Sequence, residues 1–154
     1  DAIDIDPWST ESTKSGAELN DLTQKMEIIL GTVEAIEGRK YDLVLANINR
    51  NIILNDIDSY NAALKPGGKL VVLEFSIPSN RLVRWAYAQY SHRLLPRIGA
   101  MISKDRKAYD YLPDSVEEFP APERFMDILH GVGFKSAKAK SQSFGIAHIY
   151  EATK

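Results

Sequence analysis

Short apolar runs and helical stripes alternate along the first half of the chain. Runs typical of strands lie at residues 1–6, 26–30, 41–47 and 69–75. Apolar residues at helical spacing predict helices over residues 9–22, 55–64, 79–95 and 122–131. Strands that alternate with helices predict an α/β fold, with a mostly parallel sheet and helices on both of its faces.

The carboxyl-terminal part of the chain has a different pattern. The segments "FKSAKAKSQS" and "IAHIYEAT" predict two strands that pair as an antiparallel hairpin. Between the helices, residues 105–120 are rich in aromatic side chains, contain Pro113 and Pro120, and show no clean period. The whole chain, residues 1–154, has the length of one ordinary domain.

Two segments bring polar residues to the end of a strand. The run "YDLVLAN", Tyr41 to Asn47, is almost continuously apolar, and this predicts a strand buried on both faces. In "LKPGGKLVVLEFS", Pro66 and Gly67 end a helix, and the following apolar strand leads directly into Glu74.

Composition excludes several classes of function. The formal net charge is −2, without the basic excess expected of a nucleic-acid partner. No apolar run approaches the roughly 20 residues of a membrane span. Cysteine is absent, which excludes disulfides and favours a reducing, cytoplasmic location. The three histidines show no ligand spacing, so we predict no metal site.

Polar residues follow three of the predicted strands. They are Asp4 with Asp6, Asn47, and Glu74 with Ser76. Because ligands of parallel α/β sheets bind outside the carboxyl ends of the strands, we expect these side chains along one edge. A carboxylate there can accept hydrogen bonds from both hydroxyls of a ribose. Acids at strand ends also cap helices, and this alternative stays open for Asp6.

The chain resembles the class I S-adenosylmethionine-dependent methyltransferases, which have a Rossmann-like fold. Its two halves are similar to different families. The motifs "AIDIDPW" and "GRKYDLVLANINRNIILNDI" resemble the ribosomal-protein methyltransferases that modify amino groups of a large-subunit protein. The motifs "KPGGKLVVLEFS", "AYDYLPDSVEEFP" and "FGIAHIYEATK" resemble the ubiquinone/menaquinone-biosynthesis C-methyltransferases. A junction near the shared Lys-Pro-Gly-Gly turn suggests a chimera.

The resemblance implies four cofactor-binding residues for S-adenosyl-L-methionine. Asp4 matches the acid that binds the cofactor ribose, and Ile5 matches the apolar residue that lies against adenine. Thr32 stands where both families usually place an acid for the adenine amino group, and a hydroxyl is a weaker acceptor than a carboxylate. Asn47 matches the asparagine that follows the fourth strand of the protein methyltransferases.

The quinone family carries an Arg-Asn pair in the loop after that strand. The segment "ANINRN" aligns with it without a gap, which implies catalytic roles for Arg50 and Asn51. Methylation of a ring carbon needs an electron-rich, phenolate-like ring, and a nearby cation favours ionisation of a phenol. The alternative is that Arg50 is a solvated loop residue.

The resemblance also implies that residues 77–120 form a lid over the substrate. Substrate contacts then fall to Glu74, Arg106, Tyr109 and Tyr111, with Asp105 beside Arg106. Glu74 either contacts the active-site edge or ties down the lid, and we favour the lid. Tyr87 and Tyr90 either line an apolar slot for the quinone ring or, as part of a helical stripe, pack in the core.

The first strand of the family's sheet and its glycine-rich turn are not found, because no glycines stand in a G-x-G-x-G arrangement. That strand is central in the family, so its loss leaves two apolar strand edges unpaired. Three explanations are open: residues precede Asp1, another copy supplies the strand, or the remaining strands rearrange and close the sheet.

The leading functional hypothesis is S-adenosylmethionine-dependent C-methylation of a prenylated quinol ring. One alternative is a protein amino-group methyltransferase, and another is a non-catalytic Rossmann-like module that binds the cofactor poorly. We expect at most peripheral association with a membrane, because the sequence shows no basic amphipathic helix. A homo-oligomer remains open.

Overall fold

The computed structural model describes residues 1–48, 50–90 and 119–154. In chain order, the elements are β1 (Ala2–Asp4), α1 (Pro7–Leu19), β2 (Ile28–Leu30), a 3₁₀ turn (Val33–Ile36), β3 (Tyr41–Ala46), α2 (Arg50–Ala63), β4 (Leu64–Phe75), α3 (Arg81–Gln89), α4 (Pro122–Gly131), β5 (Ser136–Gln142), a second 3₁₀ turn (Ser143–Gly145) and β6 (Ala147–Thr153). This order confirms the predicted α/β fold.

The strands form two sheets with mixed pairing. Strands β1 and β2 pair in parallel, and the other four have the order β3-β4-β6-β5. In the larger sheet β3 and β4 are parallel, whereas β4-β6 and β6-β5 are antiparallel. The predicted carboxyl-terminal hairpin is therefore confirmed as β5 and β6, and parallel pairing is confined to the amino-terminal half.

The two sheets face each other across a gap between β1 and β3. The N–H of Ala2 and the C=O of Asp4 bond towards β2. Because backbone groups of successive residues point to opposite sides of a strand, those of Ile3 point away from β2. The Tyr41 hydroxyl donates to the Asp1 carboxylate, which brings the starts of β1 and β3 together. The described strands do not form one closed sheet. For the described residues, the explanation that the strands rearrange and close the sheet is therefore wrong.

One face of the larger sheet carries the hydrophobic core. Leu70, Val72 and Tyr150 alternate along β4 and β6 and are at most 1% exposed. Helix α2 covers this face with Ile53, Ile57, Tyr60 and Ala63, and α4 does so with Phe125 and Leu129. The spacing of these helix positions is that of a single apolar stripe, so the helical periodicity was a sound guide to both helices.

The opposite face of the same sheet is open, which corrects the prediction that β3 is buried on both faces. Leu43 and Leu45 are 49% and 72% exposed, and Leu73 and Phe75 of the neighbouring β4 are also exposed. Alternation along the strands and the register of β3 on β4 place these four side chains together. No helix of the part that the structure describes covers them.

The starts of α1 and α2 differ from the predictions. Helix α1 begins at Pro7, with Asp6 as its N-cap, rather than at Ser9 or Thr10. Helix α2 begins at Arg50, five residues before the predicted start. The first turn of α2 carries two apolar residues, Ile52 and Ile53. Ile53 packs in the core and Ile52 lines the cleft, and these contacts extend the helix towards its amino end.

Helix α3 is the described part of the predicted lid. The structure gives it no buried residues, and Trp85 on it is 63% exposed. Tyr87 is half-buried, and burial raises the pKa of its hydroxyl. Core packing of the stripe through Tyr87 and Tyr90 therefore has no support from described residues. None of the described helices is both long and apolar enough to cross a membrane.

Candidate active site

A cleft of about 670 Å³ lies between the two sheets, at the carboxyl ends of β1, β2 and β3. Four predicted cofactor residues line it: Asp4, Ile5, Thr32 and Asn47. Its volume falls in the range of about 300–1,000 Å³ typical of small-molecule sites. The cleft continues into the gap between β1 and β3, whose facing edges pair with no described strand, and Ile3 and Leu43 line it there.

The carboxylate of Asp4 is held at the mouth of this cleft. Its Oδ1 accepts the backbone N–H of Asp6 at 2.9 Å. This contact fixes the carboxylate and leaves Oδ2 available to a ligand. Asp6 itself accepts the N–H of Trp8 at 3.0 Å and the hydroxyl of Ser9 at 3.1 Å. Asp6 is therefore a helix cap, which was the alternative left open for it, and Asp4 is the acid that faces the cleft.

Glu34 and Asp56 are among the acids of the cleft that the sequence analysis missed. Thr32 lies exposed at the start of the first 3₁₀ turn and makes no side-chain capping bond. Glu34 follows it in the same turn, and Asp56 of α2 faces it across the cleft. Burial raises the pKa of the Asp56 carboxyl, and the negative charge of Glu34 adds to this effect. A four-residue turn has no periodic signal, so the sequence gives little warning of these acids.

Arg50 and Asn51 form a coupled pair in the first turn of α2. The guanidinium Nε and Nη2 atoms of Arg50 donate to Oδ1 of Asn51 at 2.9 and 2.7 Å. Neither residue is among those that line the cleft, but Ile48 and Ile52 on either side of them are. The half-buried Arg50 is therefore on a helix beside the cleft, and its prediction as a loop residue is wrong.

Glu74 lies at the end of β4, on the core face of the sheet. Val72 of β4 pairs with Ala46 of β3, so Glu74 extends two residues beyond the last paired position of β3. Burial raises the pKa of the Glu74 carboxyl to about 7, and a backbone hydrogen bond from Phe75 opposes this only in part. The structure thus places Glu74 at the same edge as Asn47 but outside the lining of the cleft.

The raised pKa of Glu74 predicts a pH-dependent gain in stability for Glu74→Gln. Below about pH 4.5 the carboxyl is neutral in both the folded and the unfolded chain. As pH rises from about 4.5 to about 7, the carboxyl ionises in the unfolded chain but stays protonated in the folded one, so the folded wild type loses stability. We expect Glu74→Gln to be more stable by about 1 kcal/mol near pH 8, a value discounted for partial solvent exposure. Urea unfolding at about pH 4 and pH 8 measures the difference.

Glu151→Gln, one strand away, serves as the control of opposite sign. The hydrogen bond from Lys69 to Glu151 lowers the pKa of this carboxyl. Its contribution to stability is therefore present above the unfolded pKa and is lost as pH falls. Equal responses of the two variants to pH would contradict the assignment of a buried, desolvated Glu74.

The remaining predicted substrate residues cannot be placed. Arg106, Tyr109, Tyr111 and Asp105 lie outside the described residues. Their roles, and the extent of the lid over residues 77–120, stay predictions. In the described ranges, no three acids or histidines stand close enough together to hold a metal ion.

Family models match both halves of the chain. The model of the ubiE/COQ5 methyltransferase family matches residues 40–154, and that of the ribosomal protein L11 methyltransferases matches residues 1–74. The two matches overlap over residues 40–74, which contain β3, α2 and the Lys-Pro-Gly-Gly turn. The resemblance to two families is therefore confirmed.

Individual relatives agree with these matches. A ubiquinone/menaquinone biosynthesis C-methyltransferase of Cereibacter sphaeroides is 32% identical over 143 residues, which cover 90% of this chain and 57% of that protein. The enzyme of the same name from Geobacter sulfurreducens is 50% identical over 91 residues, 59% of this chain and 35% of that protein. The chain thus spans about half or less of the length of these two relatives.

Solved structures agree on the fold. An O-methyltransferase family protein from Burkholderia thailandensis superposes with a TM-score of 0.64 at 15% identity, over 96% of this chain and 41% of that one. At this identity the likeness shows a Rossmann-like methyltransferase fold and nothing finer. The family model that matches residues 40–154 shows that this chain belongs to the ubiE/COQ5 methyltransferase family.

Proposed function

We propose that this chain methylates a ring carbon of a prenylated quinol, with S-adenosyl-L-methionine as the methyl donor. The observation that carries the proposal is the cleft that collects Asp4, Ile5, Thr32 and Asn47 at the carboxyl edge of the strands. The family match and the relatives named for quinone biosynthesis support the choice of substrate. The chain covers only part of those relatives, so the activity of the whole protein is part of the proposal.

The residues of the cleft fit the nucleoside half of the cofactor. The carboxylate of Asp4 has a fixed Oδ1 and an available Oδ2, which suits the two hydroxyls of a ribose. Ile5 is 58% exposed beside it and offers an apolar surface to a flat base. Thr32 is a weak acceptor for the adenine amino group, and Glu34 two residues later supplies a charged one. Asn47, directly after β3, lines the cleft as well.

The bound cofactor supplies an electrophilic methyl group on a sulfonium. The chain has to align a ring carbon with that group and stabilise negative charge on the ring oxygen. Arg50 is suited to the second task, because it is a half-buried cation at the amino end of a helix, where the helix dipole adds positive potential. Asn51 holds its guanidinium through two hydrogen bonds.

Methyl transfer from a labelled cofactor tests the proposal. The chain is incubated with labelled S-adenosyl-L-methionine and either demethylmenaquinol or ribosomal protein L11. Label in the quinol supports the proposal, and its absence from the quinol with a folded protein overturns it. Label in the ribosomal protein alone supports the second candidate, a protein methyltransferase, which the match over residues 1–74 favours.

A third candidate is a non-catalytic module, favoured by the unpaired edges of β1 and β3. In the family, the glycine-rich turn that approaches the methionine part of the cofactor follows a strand between these edges. No described strand occupies that place. Titration calorimetry without heat from S-adenosylmethionine or S-adenosylhomocysteine would favour this candidate over both enzymes.

The role of Asp4 gives a prediction on cofactor affinity. Asp4→Asn keeps an oxygen for the N–H of Asp6 but loses the charge that strengthens hydrogen bonds to a ribose. Such bonds contribute about 1.5–3 kcal/mol, so we expect the dissociation constant to rise about tenfold to a hundredfold. Calorimetry measures it. Asp127→Asn, an exposed acid on α4, should leave it unchanged. Equal affinities of wild type and Asp4→Asn would contradict the assignment.

A further inference from the structure

A second polar cluster lies where β4 ends and β6 begins. Its members are Glu74, Ser76, His148 and Tyr150. Glu74 and His148 are directly opposite each other in the antiparallel ladder, so their Cβ atoms are about 4.5–5.5 Å apart. Both side chains point to the core face of the sheet, as does Tyr150.

Ser76 fixes the orientation and the tautomer of His148. The Ser76 hydroxyl donates its single hydrogen to the carbonyl oxygen of Gly145 at 2.8 Å. It also lies 2.7 Å from Nδ1 of His148. Because that hydrogen is already used, Nδ1 of a neutral His148 must carry the proton and donate to Ser76. The lone pair of the imidazole is then on Nε2.

The surroundings keep the ring in place. Ser76 is only 8% exposed, and its own N–H donates to the carbonyl oxygen of Ile146 at 2.8 Å, so the serine cannot shift easily. The ring of Tyr150 stacks on that of His148, with 5.9 Å between centroids and 28° between planes. His148 is therefore held both through Nδ1 and across its face, which leaves Nε2 in a defined direction.

A buried hydroxyl group lies next to the ring of His148. The Tyr150 hydroxyl is buried and has no hydrogen-bond partner in the described part of the chain. Burial raises its pKa to about 12, and Glu74 and Glu123 act in the same direction. The titratable groups that face the cluster are thus Glu74 on β4, Tyr150 on β6 and Glu123 on α4.

The cluster lies at the same edge of the sheet as Asn47. Ala46 pairs with Val72, so the end of β3 and the start of α2 are next to the end of β4 that carries Glu74. C-methylation of a quinol needs a group that removes the proton from a ring hydroxyl, because the phenolate is the electron-rich form of the ring. The polar side chains that line the cofactor cleft belong to Asp1, Asp4, Thr32, Glu34, Tyr41, Asn47, Asn55, Asp56 and Tyr60, and these include no imidazole.

We propose that His148 is the proton acceptor for a ring hydroxyl of the quinol, and that Ser76 is its positioning residue. In this step the O–H bond breaks, an Nε2–H bond forms, and the electron pair stays on oxygen. The ring carbon then bonds to the methyl group, whose former bonding electrons stay on the sulfur of the donor. The hydrogen of that carbon leaves as a proton to water, and His148 returns its proton to the ring oxygen. This inference rests on the proposed function.

His148→Gln tests the acceptor, because the glutamine amide can still donate to Ser76 but cannot take a proton at neutral pH. We expect kcat for quinol methylation to fall about a hundredfold or more, with KM and cofactor affinity unchanged. The acidic limb of the pH–rate profile should disappear. His130→Gln is the matched control, since His130 lies exposed at the end of α4, where its Nδ1 is 3.1 Å from the carbonyl oxygen of Phe134.

Ser76→Ala separates positioning from a purely structural role. Without the hydroxyl, the ring keeps its stacking on Tyr150 but loses the contact that selects the Nδ1–H tautomer. We expect a fall in kcat of about tenfold, at unchanged KM, and a displaced acidic limb of the profile. A structural role alone would lower the melting temperature and leave the profile where it is.

NMR of the full chain with labelled histidine gives a readout that needs no turnover. Neutral His148 should show the Nδ1–H tautomer in wild type and a tautomer mixture in Ser76→Ala. Addition of a soluble short-chain demethylmenaquinol should shift the His148 resonances and spare those of His130.

The outcomes separate the inference from the proposed function. A wild type that methylates no quinol overturns the proposed function. The NMR titration then tests separately whether the quinol reaches His148. Methyl transfer by His148→Gln within twofold of wild type, with the same pH profile, overturns the inference while the function stands. An Nε2–H tautomer, or His148 resonances unmoved by the quinol, overturns it as well.

Discussion

Replacing Phe125 with alanine should remove about 3–5 kcal/mol from the free energy of unfolding. Phe125 is fully buried. Its ring packs edge-on against that of Tyr150, with 4.8 Å between ring centroids, and tilted against that of Phe119, with 5.0 Å between centroids. The variant loses the transfer free energy of the ring, gains a cavity, and loses two aromatic contacts. Since domains of this size are stable by roughly 5–15 kcal/mol, a large part of the native stability is at stake.

The measurement is urea unfolding followed by circular dichroism, with the slope compared as well as the midpoint. We expect the midpoint to fall sharply while the slope stays that of wild type. Phe144→Ala is the matched control, because Phe144 is 87% exposed and should change stability by less than about 0.5 kcal/mol. A loss of less than about 1 kcal/mol in Phe125→Ala would show that α4 does not anchor the sheet.

Local signals predicted α4 and the hairpin accurately. Pro122 precedes an apolar stripe and Gly131 follows it, which predicts a helix between them. The observed helix has these bounds. The two closing strands are contiguous in sequence, so their pairing needs only one short connection. In both cases the information lies within about ten residues, which is the range over which sequence patterns are informative.

Pairing between distant strands could not be predicted in the same way. The apolar run from Tyr41 to Asn47 looks like a strand buried on both faces, yet Leu45 is 72% exposed. Burial of a strand depends on which elements cover it, and these are remote in sequence. The division into two sheets likewise depends on whether a strand lies between β1 and β3. The apolar runs of these two strands do not contain that information.

The candidate site was predictable where topology alone fixes it. Asp4 and Asn47 come together because the carboxyl ends of parallel strands share an edge. Glu34 and Asp56 were missed because a short turn and the first helical turns carry no signature of a cleft. The role inferred for His148 depends on a hydrogen bond to a residue 72 positions away. No pattern along the chain reveals such a contact.

Exposed polar contacts span the gap between β1 and β3, next to the proposed cofactor cleft. The Asp1 carboxylate also accepts a hydrogen bond from Arg39, which in turn binds Glu27 of the segment leading into β2. These exposed ion pairs and the Tyr41 contact tie the small sheet to the large one, and exposed pairs of this kind are worth little each.

Replacing Arg50 with alanine should lower kcat for quinol methylation about a hundredfold to a thousandfold and leave cofactor affinity unchanged. The half-buried guanidinium is fixed by two hydrogen bonds to Asn51, next to Ile48 and Ile52 of the cleft. A positive charge so held needs no reorganisation when the ring oxygen becomes negative. Label transfer at saturating quinol measures kcat, and calorimetry measures cofactor binding.

Two further variants separate the charge of Arg50 from its geometry. Arg50→Lys keeps the charge but cannot direct two parallel donors at the Asn51 oxygen, so it should recover only part of the loss. Asn51→Ala keeps the guanidinium but releases it, and a fall of about tenfold is expected. Arg124→Ala, an exposed arginine in the first turn of α4, should behave as wild type. Full activity of Arg50→Lys would mean that charge alone is needed, and full activity of Arg50→Ala would remove Arg50 from the catalytic step.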